Sequence, residues 1–274
     1  ILAEDGQKMS KSRNNFPDPW ILFDKYGVDA LRFYLMSCPV MKGEDINFSE
    51  KSVQDISSKI INRLGNVLAF YELYRDKGLE PNAYSLTPTN ILDNWIISRL
   101  NELISLTTDG MKQYDMAQAT KPFEIFIGDL STWYLRRSRD RIKDGDKNAK
   151  ITLYFVLKTL AKIMAPFTPF ASEDIWLKLR NKKDVQSVHL ANWPTYHSKL
   201  RELFNLFNKK ESKVLENMET VRDIVTLGLE ARQKAGIKVR QPLSLLKLSA
   251  KSYQLKAEYQ ELIKDELNVK EIIF

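Results

Sequence analysis

The chain has 274 residues, 43% of them hydrophobic, and it carries a formal net charge of +7. This length predicts two or three folded units, and the hydrophobic content excludes a largely disordered protein. No apolar run approaches the length of a membrane span, so we expect no membrane partner. The single cysteine, Cys38, excludes an internal disulfide framework and predicts a reducing, cytoplasmic setting.

The positive charge is concentrated in two parts of the chain. Residues 131–185 contain 13 Lys and Arg against 6 Asp and Glu, and residues 198–274 contain 15 against 11. Residues 1–50, by contrast, contain 6 against 8. A localised excess of this kind is typical of a protein that binds a polyanion such as a nucleic acid, although a solvated basic face gives the same pattern.

The N-terminal part of the chain predicts a loop followed by two short helices. Asp18 and Pro19 favour the start of the first helix, and Gly27 favours its end. Asp29 is the predicted N-cap of the second helix, which Pro39 ends. These short elements form a predicted connector before the longer helices.

Apolar residues then recur every three or four positions, which is typical of amphipathic helices. The predicted helices lie at 50–77, from Asn90 or Asp93 onward, at 117–143 and at 148–165, with a short fifth helix that Ser172 caps. Because short loops join them, residues 51–197 are a predicted helical bundle.

Residues 198–274 predict a small C-terminal α/β piece. A long helix at 200–236 precedes two strands, IKVRQPLSLLKLSA and NVKEIIF, with a helix at 255–267 between them. The predicted fold class is therefore mainly α, a helical bundle with an N-terminal loop and helical connector at 1–50 and this C-terminal piece.

One loop has the residue types of a phosphate-binding site. The stretch Lys8-Met9-Ser10-Lys11-Ser12 places two lysines three positions apart among hydroxyl groups. Lysines neutralise phosphate charge, and hydroxyl and loop N–H groups add hydrogen bonds. An ordinary solvated turn has the same composition, and short motifs match by chance often.

The residues around this loop resemble those of a known family. KMSKSRNNFPDP is similar to the signature loop of class I aminoacyl-tRNA synthetases, with Asn15, Asp18 and Pro19 at matching positions and Asn14 in place of the usual Gly. Further segments resemble class Ia members, and the isoleucyl enzymes best: GVDALRFYLMSCPV, DLSTWYLRRSRDRIK, MAPFTPFASEDIW, SVHLANWP and EARQKAGIKVRQPL. The resemblance covers about residues 5–245 and includes several specific motifs.

The resemblance implies a C-terminal fragment of an isoleucyl-tRNA synthetase. The parent enzyme would activate isoleucine with ATP and Mg²⁺ and transfer it to tRNA(Ile). Lys8 and Lys11 would be catalytic, and all five KMSKS residues would contact the ATP phosphates. The chain lacks the family's His-hydrophobic-Gly-His motif, so we expect it alone to be inactive and to have no ATP bound. We also expect a monomer, and the single cysteine predicts no metal site. A valyl enzyme and a stand-alone tRNA-binding module are the alternatives.

The resemblance also implies that the bundle at 51–197 is an anticodon-binding domain. Arginine pairs with phosphates and stacks on bases, and aromatic rings stack on the bases of a tRNA loop. The candidate RNA-binding residues of the bundle are Trp133, Tyr134, Arg136, Arg137, Arg139 and Arg141. A second candidate group is Arg232, Lys234, Lys238 and Arg240. The alternative is that the two aromatics are core residues, that the bundle arginines pair with Asp129, Asp140 and Asp144, and that the second group is a solvated helix end.

Overall fold

The structure, a computed structural model, describes residues 1–13, 15–76, 88–194, 204–248 and 255–273, without the side chains of Lys11 and residues 204–211. The chain divides into two compact units, Ile1–Ser198 and Lys199–Phe274. The predicted helix end near residue 77 and the predicted helix start at residue 200 lie outside the described residues. Within the described part of the chain, no helix has the length and apolar character needed to cross a membrane.

The connector contains two helices as predicted. Helix α1 (Pro19–Tyr26) begins at Asp18, whose carboxylate accepts the Trp20 N–H at 2.9 Å. Helix α2 (Val28–Ser37) follows directly, because Gly27 adopts a φ of 82° that turns the chain between the two helices.

The bundle consists of helices that run for most of the first unit. They are α3 (Glu50–Ile56), α4 (Arg63–Tyr74), α5 (Ile91–Lys112), α6 (Met116–Thr120), α7 (Pro122–Gly128), α8 (Arg136–Lys143), α9 (Lys147–Met164) and α10 (Pro169–Leu179). Two π-helical segments join α3 to α4 and α7 to α8, at Ser57–Asn62 and Asp129–Leu135. Short 3₁₀ turns lie at Lys11–Arg13, Pro39–Lys42 and Val188–Leu190.

The start of α5 is decided by its cap. The side chain of Asn90 accepts the Leu92 N–H at 2.9 Å, so Asn90 is the N-cap. Asp93, the other candidate, is fully buried and binds elsewhere. The predicted single helix at 117–143 is divided in the structure, since Lys121 separates α6 from α7.

Asp29 caps a different helix from the one that the sequence predicts. Helix α2 has no side-chain cap, and the Asp29 carboxylate instead accepts the N–H groups of Phe170 and Ala171, at 3.4 and 2.6 Å. The first N–H groups of a helix lack partners within it, and an anion is stabilised there. Helix α10 therefore begins at Pro169, and the prediction that Ser172 caps it is wrong.

The connector packs against the bundle within one compact unit. The ring of Phe33 on α2 contacts those of Phe123 and Phe167, with centroids 6.0 and 6.3 Å away. Arg32 donates a hydrogen bond to the Pro166 carbonyl at 3.1 Å. The predicted boundary between residues 50 and 51 stays a prediction.

The second unit is a small α/β piece, as predicted. Helix α11 (Phe204–Lys234), strand β1 (Leu243–Lys247), helix α12 (Ala257–Leu267) and strand β2 (Val269–Ile273) follow in that order. The strands are parallel, with Leu243 opposite Val269. Strand β1 starts later than predicted because residues 238–241 form a turn and Pro242 has no N–H to donate. Together the two units confirm the predicted fold class, which is mainly α.

Candidate nucleic-acid interface

The KMSKS loop is held at its base by one amide side chain. Asn15 accepts the Ser10 N–H at 2.9 Å and donates to the Lys8 carbonyl at 3.2 Å. The Ser10 and Ser12 hydroxyl oxygens lie 3.2 Å apart. Asn15 therefore closes the loop by binding the chain on both sides of Met9.

The loop exposes charge and partly buries its one apolar residue, Met9. Met9 packs against the connector core, which includes Leu22, Tyr34 and Val53. The Lys8 side chain is exposed, and the Lys11 side chain lies outside the described part of the chain. Lys8 can therefore reach an anion in solvent while Met9 anchors the loop.

Tyr134 is a core residue, so the prediction that it contacts RNA is corrected. Its side chain is 0% exposed and donates a hydrogen bond to Asp93 Oδ1 at 2.9 Å. Burial and the neighbouring Asp93 carboxylate raise the pKa of the Tyr134 phenol well above its usual value. Trp133, its neighbour, is partly exposed.

Arg141 binds two carboxylates inside the bundle. It donates to Asp93 Oδ2 at 2.8 Å and to Asp146 Oδ2 at 3.0 Å. This pairing supports the alternative, in which arginines make internal ion pairs, although with different partners from those predicted. Asp129, one of the predicted partners, pairs with Arg99 at 3.0 Å. Arg141 therefore positions α8, and the prediction that it contacts RNA is not supported.

Helix α8 presents the remaining arginines at the surface. Arg136 and Arg139 are exposed and Arg137 is partly exposed. The π-helical segment before α8 takes one more residue per hydrogen-bonded turn than an α-helix does. The segment therefore changes the side of the helix that the following residues face. Helical spacing counted from Trp133 does not predict this change.

Two aromatic residues beside α8 were missed by sequence reasoning. The Arg139 guanidinium lies 5.5 Å from the centroid of the Phe70 ring, and the Phe70 and Tyr74 centroids are 4.8 Å apart. Both rings are partly exposed. The sequence signal was that these two aromatics are four positions apart and so share a helix face. Tyr71, which lies between them in sequence, belongs to the inward stripe.

The second basic group is built around a buried arginine. Arg232 is 4% exposed and donates to the carbonyls of Lys238, Gln241, Leu267 and Asn268, at 3.1, 3.0, 2.6 and 3.2 Å. The prediction that it contacts RNA is therefore corrected. Lys234, Lys238 and Arg240 are exposed around Gly236, whose φ is 70°. Arg232 therefore fixes the chain that follows α11, with Lys234 at the helix end and Lys238 and Arg240 beyond it.

A groove between the connector and the bundle is a weaker candidate. Its volume is about 820 Å³, and its lining includes Lys42, Lys59 and Asp115. Lys42 pairs with Asp115 at 2.7 Å, and Lys59 pairs with Asp55 at 3.2 Å. Paired charges of both signs do not favour a polyanion there.

Two family models match the chain in the regions of these sites. Residues 93–247 match the "Anticodon-binding domain of tRNA ligase", and residues 1–49 match "tRNA synthetases class I (I, L, M and V)". The first match covers more than half of the chain. The chain belongs to the family of tRNA ligase anticodon-binding domains. The predicted resemblance to class I synthetases is thus confirmed, and both basic groups lie within the anticodon-binding domain match.

Curated relatives narrow the resemblance to one type of tRNA ligase. The chain is 41% identical to an isoleucine–tRNA ligase of Chlamydia trachomatis serovar L2b and 39% identical to one of Chlamydia pneumoniae. Each match covers 100% of this chain and 26% of the relative. The chain thus spans about a quarter of the length of these relatives.

Two solved structures share the fold of more than half of this chain. The LeuRS of Agrobacterium radiobacter K84, in a ternary complex with tRNA and LeuAMS, matches 72% of this chain and 23% of its own, with a TM-score of 0.54 and 22% identity. Mycobacterium tuberculosis methionyl-tRNA synthetase, in complex with methionyl-adenylate, matches 64% of this chain and 36% of its own chain, with a TM-score of 0.50 and 23% identity.

Proposed function

We propose that this chain is the tRNA-binding, C-terminal part of an isoleucine–tRNA ligase. The parent enzyme activates isoleucine with ATP and Mg²⁺ and transfers it to tRNA(Ile) as a cytoplasmic monomer. The observation that carries this proposal is the basic surface of α8 within the anticodon-binding domain. Arg136 and Arg139 are exposed on a helix that Arg141 anchors from inside. Exposed arginines on a fixed helix can pair with phosphates and stack on bases.

The KMSKS loop serves the ATP step in the parent enzyme. Attack of the isoleucine carboxylate on the α-phosphorus of ATP releases pyrophosphate, whose negative charge grows in the transition state. In this proposal Lys8 and Lys11 stabilise that charge, and the hydroxyl and N–H groups of Met9, Ser10 and Ser12 add hydrogen-bond donors. The bonds from Asn15 support this role because they fix the loop on both sides of Met9.

The chain by itself is not expected to activate isoleucine. It contains no His-hydrophobic-Gly-His motif, which the family uses with the KMSKS loop. Isoleucine-dependent pyrophosphate exchange by the isolated chain would contradict this expectation.

Isoleucine is favoured over the two alternatives by the names of the relatives. The Chlamydia proteins at about 40% identity are isoleucine–tRNA ligases. A valyl enzyme and a stand-alone RNA-binding module remain testable. Preference for tRNA(Val) over tRNA(Ile) transcripts would favour the first alternative.

The α8 surface is tested by the salt dependence of tRNA binding. Filter binding of a tRNA(Ile) transcript between about 50 and about 200 mM salt gives the slope of log K against log salt. The double variant Arg136→Ala, Arg139→Ala is expected to bind more weakly. It is also expected to reduce the magnitude of the slope by about two, since each lost phosphate contact lowers that magnitude by about one.

The control removes a charge from the same unit but from another helix. Lys51 is exposed on α3, and Lys51→Ala is expected to leave both the affinity and the slope unchanged. Equal losses in the double variant and in Lys51→Ala would indicate that binding depends on net charge alone, and would contradict a specific α8 surface.

A further inference from the structure

A composite surface of two aromatic rings and one guanidinium lies where α4 meets α8. Phe70 and Tyr74 come from α4, and Arg139 comes from α8. The two rings are tilted by 45° with centroids 4.8 Å apart, and Arg139 lies 5.5 Å from the Phe70 centroid. We call these three residues the stacking surface.

The stacking surface lies outside the hydrophobic core. Tyr71, between the two aromatics in sequence, is 4% exposed and contacts Tyr154 of α9. Phe70 and Tyr74 are partly exposed and Arg139 is exposed, while Leu73 beside them is 73% exposed. Helix α4 therefore has a buried side at Tyr71 and a partly exposed aromatic side, which core packing alone does not require.

The chemistry of this surface fits an unpaired nucleobase. Single-stranded bases stack on aromatic side chains and on the planar guanidinium of arginine, and this stacking does not depend on base pairing. The exposed Arg136 lies three positions before Arg139 on α8, a spacing that puts the two side chains on one helix face. A base here would therefore have its phosphate near positive charge. A buried duplex base could not use such a site, because its faces are covered by its neighbours.

We propose that Phe70, Tyr74 and Arg139 form the stacking site for an unpaired base of the tRNA anticodon loop. This inference rests on the proposed tRNA-binding function and adds a role for two residues of α4. The base covers the exposed parts of the two rings, and Arg139 is both a stacking partner and a cation near the phosphate.

The test separates stacking from charge with two conservative variants. Phe70→Leu keeps an apolar side chain but removes the ring, and Arg139→Lys keeps the charge but removes the planar group. Each is expected to weaken binding of the tRNA(Ile) transcript by about tenfold, within the range for loss of one base stack. The salt slope is expected to stay unchanged, because neither variant removes a charge.

A fluorescent base reports the stacking directly. An anticodon stem-loop of tRNA(Ile) that carries 2-aminopurine in the loop is expected to lose fluorescence on binding the unsubstituted chain, since stacking quenches this base. Phe70→Leu at saturating concentration is expected to restore much of the fluorescence. Phe170→Leu is the matched control, because Phe170 is 68% exposed on α10 and is expected to leave affinity and quenching unchanged.

Two results would overturn the inference. If Phe70→Leu and Arg139→Lys bind as the unsubstituted chain does, with quenching intact, the stacking site is wrong while the tRNA-binding function stands. If the unsubstituted chain fails to bind tRNA at all, both the stacking site and the proposed function are wrong. Unchanged circular dichroism and tryptophan fluorescence of both variants show that a loss of binding does not come from unfolding.

Discussion

Asp93 is the residue on which the geometry of α8 depends. Its carboxylate is 0% exposed and accepts hydrogen bonds from Tyr134 and Arg141, at 2.9 and 2.8 Å. A buried carboxylate is tolerated only when charged or hydrogen-bonded groups compensate for its lost hydration. The two donors lie on either side of the surface arginines in sequence, so they fix the helix that carries Arg136 and Arg139.

Removing one donor to Asp93 is expected to destabilise the first unit. Tyr134→Phe keeps the ring but leaves Asp93 Oδ1 without this hydrogen bond, which costs about 1–3 kcal/mol of unfolding free energy. Denaturant unfolding followed by tryptophan fluorescence measures the change in this unit alone, because all five tryptophans lie in Ile1–Ser198.

The matched control for this change is Tyr74→Phe, at a partly exposed ring. A surface substitution of this kind is expected to change the unfolding free energy by less than about 0.5 kcal/mol. Equal effects of the two substitutions on stability would show that the Tyr134–Asp93 hydrogen bond contributes nothing specific.

The amino-acid sequence shows which segments carry positive charge but not which of their side chains are buried. Tyr134 and Arg232 stand among basic residues, yet both are buried by partners far away in sequence, Asp93 and the Leu267 carbonyl among them. Burial depends on such long-range contacts, so residue type alone could not separate these two from the exposed Arg136 and Lys238.

At the scale of elements, apolar periodicity predicted the helices and missed their interruptions. The stripe within 117–143 continues across the π-helical segment at Asp129–Leu135, because its buried residues keep a spacing of four at Phe126, Leu130 and Tyr134. The cap that Asp29 supplies to α10 was missed for a different reason. Asp29 is separated in the sequence from Phe170 by 141 positions and from Ala171 by 142.

Helix α9 depends on a cap that also binds α8. Asp146 accepts the N–H groups of Asn148 and Ala149 at 2.9 and 3.1 Å, and it binds Arg141. Burial acts to raise the pKa of the Asp146 carboxyl. The hydrogen bonds from Ala149 and Arg141 outweigh that effect and hold the pKa below its usual value. The ionised form is therefore favoured by folding.

The lowered pKa of Asp146 predicts a pH-dependent effect of Asp146→Asn. A carboxyl with a depressed folded-state pKa stabilises the fold above its unfolded pKa of about 3.9, and this contribution is lost as the pH falls through the folded value. At pH 7 the variant is expected to be less stable by about 0.5–1 kcal/mol, the usual effect of a charge at a helix N-terminus.

Denaturant midpoints at neutral pH and below the unfolded pKa check this prediction. The difference between Asp146→Asn and the unsubstituted chain is expected to shrink at acid pH. Asp140→Asn is the control, since the Asp140 side chain is 91% exposed, and it is expected to show little difference at either pH. A difference for Asp146→Asn that is the same at both pH values would contradict the role of its charge.

At the scale of the whole molecule, the charge distribution and the family match agree. The basic residues of 131–185 and of 232–240 both fall within the anticodon-binding domain match at 93–247. The connector, with its KMSKS loop, falls within the class I synthetase match at 1–49 and carries a net negative charge. Binding of RNA is therefore expected to depend on the helical domain rather than on the loop.

Competition between two halves of tRNA(Ile) tests this expectation most directly. The chain is bound to labelled full-length tRNA(Ile), and either the anticodon stem-loop or an acceptor minihelix is added as competitor. The expected result is that the anticodon stem-loop displaces the label at a far lower concentration than the minihelix does. Displacement by the acceptor minihelix at equal or lower concentration would contradict binding of the anticodon region by the helical domain.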